Sequence, residues 1–117
     1  MIIDGVEISR GLIIDEPWIS KILSGEKTWE MRSAKTKVRG EIALIKKGTG
    51  TIVGTVELYD CLSCDPEKLP MGVSHCIPRS MFNVFEKWNV AWKLRGVKAI
   101  SPIPYKHKQG AVIWVKL

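Results

Sequence analysis

The sequence predicts an α+β chain, mostly β: a small mixed β-barrel carrying two or three short helices. Three observations predict it. Five to seven short apolar runs alternate with polar turns. Only two segments carry helical spacing. No helix of crossover length separates successive strands, so a βαβ sheet fits less well than a barrel. The length of 117 residues suits one domain, 1–117. With 45% hydrophobic and 26% charged residues, wholesale disorder is excluded. No apolar run approaches the ~18 residues that a membrane span needs. The start, Met1-Ile2-Ile3-Asp4, does not open a secretory signal, so the expectation is a cytoplasmic protein with no membrane partner.

Each element follows from local chemistry. Ile2-Ile3-Asp4-Gly5-Val6 reads as a short strand and turn, and Gly11-Leu12-Ile13-Ile14 as a buried strand. A helix is predicted over about residues 16–24. Asp15 would cap it, Pro17 falls in its first turn, Trp18, Ile19, Ile22 and Leu23 form an apolar face, and Gly25 ends it. Lys27 to Arg32 then switches to period two, with Trp29 and Met31 on one face and Thr28, Glu30 and Arg32 on the other. Trp18, Ile22, Trp29 and Met31 are expected in the core. After a cationic loop, Gly40 to Ile45 and Thr51 to Cys61 form a hairpin, with Gly54 marking a bulge or close backbone approach. Residues 62–77 read as loop, and Pro78 to Trp88 as a helix burying Met81, Phe82 and Phe85. Val90 to Leu94 and Val97 to Ile100 read as two strands. Pro102 to Tyr105 must be extended away from a sheet centre, because proline donates no ladder hydrogen bond. Ala111 to Leu117 closes the chain as a strand.

Charge is distributed unevenly. Residues 1–67 carry nine Lys/Arg against eleven Asp/Glu, a net of −2; residues 68–117 carry nine Lys/Arg against Glu86 alone, a net of +8. A half this basic attracts polyanions, nucleic acid first among them, or is simply a solvated surface. Joined by Lys35, Lys37 and Arg39, it is expected to form a basic rim. The three cysteines, Cys61, Cys64 and Cys76, are an odd count that suits reduced thiols better than a disulfide framework. The Cys61-Leu62-Ser63-Cys64 pair lacks a convincing fourth ligand, because His75 is the neighbour of Cys76. No metal and no cofactor are expected.

Two clusters carry candidate chemistry. The first is Lys27, Thr28, Glu30 and Arg32: facing a cleft, it offers a polar ligand one acceptor and several donors; facing outward, it is a surface ion pair. The second is Tyr105, Lys106, His107 and Lys108, where an aromatic beside cations suits a stacked base next to a phosphate, or is a basic loop tip.

Pro17-Trp18, Gly25-x-Lys27-Thr28-x-Glu30-x-Arg32, Arg39-Gly40 and Gly54-x-Val56 to Asp60-Cys61 resemble the ASCH domain. So does the ending from Trp88 to Trp114, with Pro102-Ile103-Pro104-Tyr105-Lys106 and Lys108-Gln109-Gly110. The resemblance spans about residues 10–117. It implies a PUA-like β-barrel with a cleft, a fold shared with domains that recognise RNA modification. In the small acetylcytidine amidohydrolases of the family, the lysine of the Gly-x-Lys-Thr motif acts as nucleophile or base; it maps to Lys27. Where those enzymes have a threonine three residues later, this chain has Glu30. Other members are reported to cut RNA, and others accompany transcription coactivators.

The expected function is therefore binding of RNA or a modified nucleobase in a cleft lined by Lys27, Glu30 and Arg32, with Trp18 or Tyr105 stacking and Thr28, Arg39, Lys106 and Lys108 contributing contacts. The alternatives are a hydrolase of acylated nucleosides or RNA, with Lys27 and Glu30 catalytic, and a protein-interaction module.

Overall fold

Two stretches, Leu12-Ile13-Ile14 and Ile42-Ala43-Leu44-Ile45, are apolar at every position because their strands are buried on both faces. Leu12, Ile14, Ile42 and Leu44 point into the main core. Ile13, Ala43 and Ile45 point outward into a second cluster, with Ile3 and Ile8 of the N-terminal segment among its members. The computed structural model describes residues 1–65 and 74–117. A small hairpin pairs β1 (Ile2–Ile3) with β2 (Val6–Glu7). The main sheet contains β3 (Arg10–Ile14), β4 (Trp29–Arg32), β5 (Gly40–Lys46), β6 (Thr51–Ser63), β7 (Val90–Pro104) and β8 (Trp114–Lys116). Their spatial order is β4-β7-β6-β5-β3-β8. The β3–β5 pair is parallel and the other neighbours are antiparallel, so the sheet is mixed, as the sequence predicts. It curls into a half-barrel. Trp92 of β7 and Trp114 of β8 stack with centroids 5.7 Å apart, although three strands separate β7 from β8 in the sheet.

Helix α1 (Trp18–Leu23) is shorter than the 16–24 span expected. Its start is secured by Glu16 rather than Asp15. The Glu16 carboxylate accepts hydrogen bonds from the backbone N–H of Ser20 at 3.0 Å and its hydroxyl at 2.6 Å. These bonds hold the Glu16 carboxyl below its ordinary pKa. Asp15 instead accepts from the Glu16 backbone N–H. Ile19 and Ile22 are buried against the sheet, and the chain leaves the helix at Gly25.

Gly54 is the close approach anticipated. A Cβ there would lie 2.6 Å from Leu23 Cδ2 and 2.8 Å from the Lys98 carbonyl oxygen. The β6–β7 ladder shifts register between Ile52 and Gly54.

The segments expected as two strands, 90–94 and 97–100, are one. β7 runs unbroken through residue 96, where Gly96 adopts φ +66° and the ladder shifts opposite Thr55 and Glu57. A bulge absorbs the extra residue between the two predicted strands. Ile103 and Pro104 pair with β6 alone at the far end of β7, where proline's missing donor faces no partner strand. At the C-terminus only Trp114–Lys116 is strand.

The predicted helix 78–88 is a 3₁₀ helix, Arg79–Glu86. Phe85 is buried as expected, but Met81 is exposed. The three-residue turn rotates positions four apart off a common face. The side chain of Phe82 lies outside the described residues. Trp18 and Trp29 are half-buried rather than fully interior, packing at the margins of the core that encloses Ile22 and Met31. No described helix is long and apolar enough to cross a membrane.

Candidate functional site

The open side of the half-barrel lies where β4 faces the end of β3. Period two sends Glu30 and Arg32 of β4 into this gap. The Arg32 guanidinium spans it, donating from Nη2 to the Ile13 carbonyl oxygen at 3.1 Å and to Glu30 Oε2 at 2.8 Å. It also lies over the Trp92 ring, 5.5 Å from the centroid. Trp92 is fixed by its own hydrogen bond from Nε1 to the Ala34 carbonyl.

Lys27 enters from the other side. Its backbone N–H bonds the Lys21 carbonyl, which tucks the chain under α1. Residues 74–77 close over it: the Ser74 carbonyl accepts from both Thr28 and Trp29 N–H, and Lys27 Nζ donates to the His75 carbonyl. The ammonium lies 3.7 Å from Glu30 Oε1 and 5.2 Å from the Trp18 ring centroid. Side-chain exposure is 1% for Lys27, 8% for Glu30 and 20% for Arg32, so Glu30 is a buried carboxylate between two cations. Burial pulls the Lys27 pKa below its ordinary value and Arg32 adds to this, while Glu30 opposes it.

These groups line a cavity of about 270 Å³. Its walls include Trp18, Met31, Ile77 and Trp88, and its mouth carries Asp15, Glu16 and Lys47. The mouth is therefore mixed in charge rather than basic. Lys46 lies 3.6 Å from Glu16, and Lys47 lies 3.9 Å from Asp15.

The structure thus brings Trp18, Lys27, Glu30 and Arg32 together, and leaves the other sequence-predicted residues elsewhere. Thr28 is exposed and lines a different cavity, with Arg95 and Gly96, because β4 begins only at Trp29. Arg39 is exposed and bonds the carbonyls of Thr36 and Val38 in its own loop. Tyr105 lines a neighbouring cavity, and Lys106 and Lys108 are exposed outside both. Sequence reading missed Trp88, Ile77, Lys47 and the His75 carbonyl. Trp88 stands at the end of the predicted helix, outside both candidate clusters, and a backbone carbonyl carries no residue signature. Among the described residues Cys61, Cys64 and Cys76 are not joined in disulfides, and no three His, Cys, Asp or Glu side chains converge.

The ASCH domain family model matches residues 12–104. The chain belongs to the ASCH domain family. Solved structures of an ASCH protein from Zymomonas mobilis share its fold. A serine-to-alanine variant matches at TM-score 0.73 and 19% identity, covering 92% of this chain and 87% of that one. The unsubstituted protein matches at TM-score 0.71 and 18% identity, covering 92% and 86%. No curated protein matches the sequence. The half-barrel here is thus the ASCH fold, and the Lys27–Glu30–Arg32 cluster opens from the gap in its sheet.

Proposed function

We propose that this ASCH domain binds a nucleobase, modified or within RNA, in the Lys27–Glu30–Arg32 cavity. The observation that carries the reading is the buried Glu30 carboxylate at the cavity wall, flanked by donors and by Trp18 and Trp88. Inside the cavity a phosphate is disfavoured next to that carboxylate. A neutral base edge is favoured. Glu30 accepts from a ring or exocyclic N–H. Among the described residues, Arg32 donates hydrogen bonds from Nη2, leaving its other N–H groups to donate to an adjacent carbonyl. The indole rings supply apolar and stacking surface. Membership of the ASCH family is consistent with an RNA-binding type of domain.

Titration with common, methylated and acetylated nucleosides, followed by tryptophan emission, tests this. At least one should bind, and Arg32→Lys, which keeps the charge and loses the planar fork, should weaken it about tenfold. If no nucleoside and no RNA binds, the reading fails.

A hydrolytic reading has one observation in its favour: burial lowers the pKa of a lysine that lines a cavity large enough for a base. Lys27 in its neutral form would take a proton from a water that attacks the acyl carbon, or attack that carbon itself and later release the acyl group to water. In either case the acyl–nucleoside bond breaks and Glu30 relays the proton to the departing nucleoside. Release of acetate from acetylated nucleosides, lost in Lys27→Met, would favour it. Binding without turnover would leave the domain a reader.

A further inference from the structure

The Lys27–Glu30–Arg32 cavity shares its outer wall with a second one. Ile13, Lys47 and Val112 line it and also line a second cavity of about 440 Å³, between the β5–β6 turn and the chain that follows β7. The far wall of this second cavity carries Tyr105 and His107, their rings 5.9 Å apart and nearly edge to face, with the phenol oxygen 2.9 Å from His107 Nδ1. Tyr105 is half-buried and anchored by its backbone N–H to the Gly50 carbonyl at 3.3 Å. Between the two cavities stands Lys47, its side chain 64% exposed. Its partner Asp15 lies 3.9 Å away and is equally exposed, a weak surface pair that leaves the ammonium available to another anion. Val112, 76% exposed, presents an apolar edge to both cavities.

We propose that the two cavities are adjacent nucleotide subsites, so that the ligand is a single strand of RNA rather than a free nucleoside. The proposal rests on the nucleobase reading of the first cavity. One base enters beside Glu30 and Arg32. The neighbouring base stacks against Tyr105 and His107, since a π-face is recognised whatever the base. Lys47, at the seam, meets the phosphodiester that joins them, outside the first cavity and away from Glu30. This assigns to Tyr105 and Lys47 a contact that a lone nucleoside never makes.

The test uses one pool of bases in two forms: end-labelled single-stranded octamers from fragmented tRNA, and the same tRNA digested to nucleosides. Octamer binding is read by anisotropy and nucleoside binding by competition. Tyr105→Ala and Lys47→Gln should each weaken octamer binding about tenfold, with Tyr105→Ala leaving nucleoside affinity within about twofold of wild type. Tyr105→Phe, which keeps the ring and loses only the phenol, should bind octamers within about twofold of wild type, separating stacking from misfolding. If Tyr105→Ala and Lys47→Gln bind octamers like wild type while Glu30→Gln weakens them, the second subsite is overturned and the nucleobase reading stands. If nucleosides compete as well as octamers, the strand is overturned. If wild type binds neither pool, both readings fall together.

Discussion

Glu30→Gln removes the carboxylate charge that lies between Lys27 and Arg32 while keeping the side-chain volume. Lys27 and Glu30 are 3.7 Å apart with almost no solvent exposure. At an effective dielectric of about 20, that separation is worth about 4.5 kcal/mol of attraction when both are charged. Removing one partner of a buried pair costs about 3–5 kcal/mol. The folded variant has one escape: Lys27 gives up its proton. Burial and Arg32 already lower its pKa from the ordinary 10.5, and Glu30 opposes that shift, so losing Glu30 lowers it further. The unfolded chain then holds a proton that the folded chain does not, and stability rises with pH up to the unfolded value. Holding a neutral lysine in the folded variant costs less as pH rises toward the unfolded value. The deficit of Glu30→Gln against wild type should therefore be about 3–5 kcal/mol near pH 7 and shrink toward about pH 9.5. Urea unfolding followed by tryptophan fluorescence measures both. A variant within about 0.5 kcal/mol of wild type near pH 7, or a deficit equal at the two pH values, would refute the buried-pair reasoning.

Three further outcomes are expected. Gly54→Ala should destabilise by about 1–3 kcal/mol in urea, because the Lys98 carbonyl that the new methyl meets is backbone and cannot turn aside. Trp29→Ala should cost about 1–3 kcal/mol, less than a fully enclosed tryptophan, since its ring is half-buried under the Lys93 ammonium at 5.2 Å; an unchanged urea midpoint would show that the ring contributes nothing. Lys106→Ala with Lys108→Ala should leave nucleoside binding intact and flatten the salt dependence of RNA binding by about 0.7 per lost phosphate contact; an unchanged slope would make these exposed lysines a solubilising surface.

What the sequence made legible follows from where its patterns are local. Alternation at Trp29 to Arg32 places Glu30 and Arg32 on one side of a strand, and their contact is a short-range consequence. The lysine motif marks Lys27, but its burial depends on residues 74–77 folding over it, 48 positions from Lys27 to His75. No periodicity carries that. Thr28 lines a different cavity, since β4 begins at Trp29, two residues after the alternation opens at Lys27. The two halves of β7 read as separate strands because Arg95 and Gly96 interrupt the apolar runs, and a bulge there leaves the strand continuous. Net charge by halves indicated a basic rim, yet Asp15 and Glu16 from the acidic half fold onto the cavity mouth, which linear charge counts cannot anticipate.

The central claim is that the gap between β3 and β4 is the ligand site. It is tested most directly by mapping amide shifts in ¹⁵N-labelled protein on titration with whichever nucleoside most raises thermal stability, as specific binding to the folded state must. The account predicts shifts concentrated at Trp18, Lys27, Glu30, Arg32 and Trp88. Shifts centred instead on the outer surface around Glu57, Tyr59 and Arg95, with Lys27 and Glu30 unmoved, would contradict it.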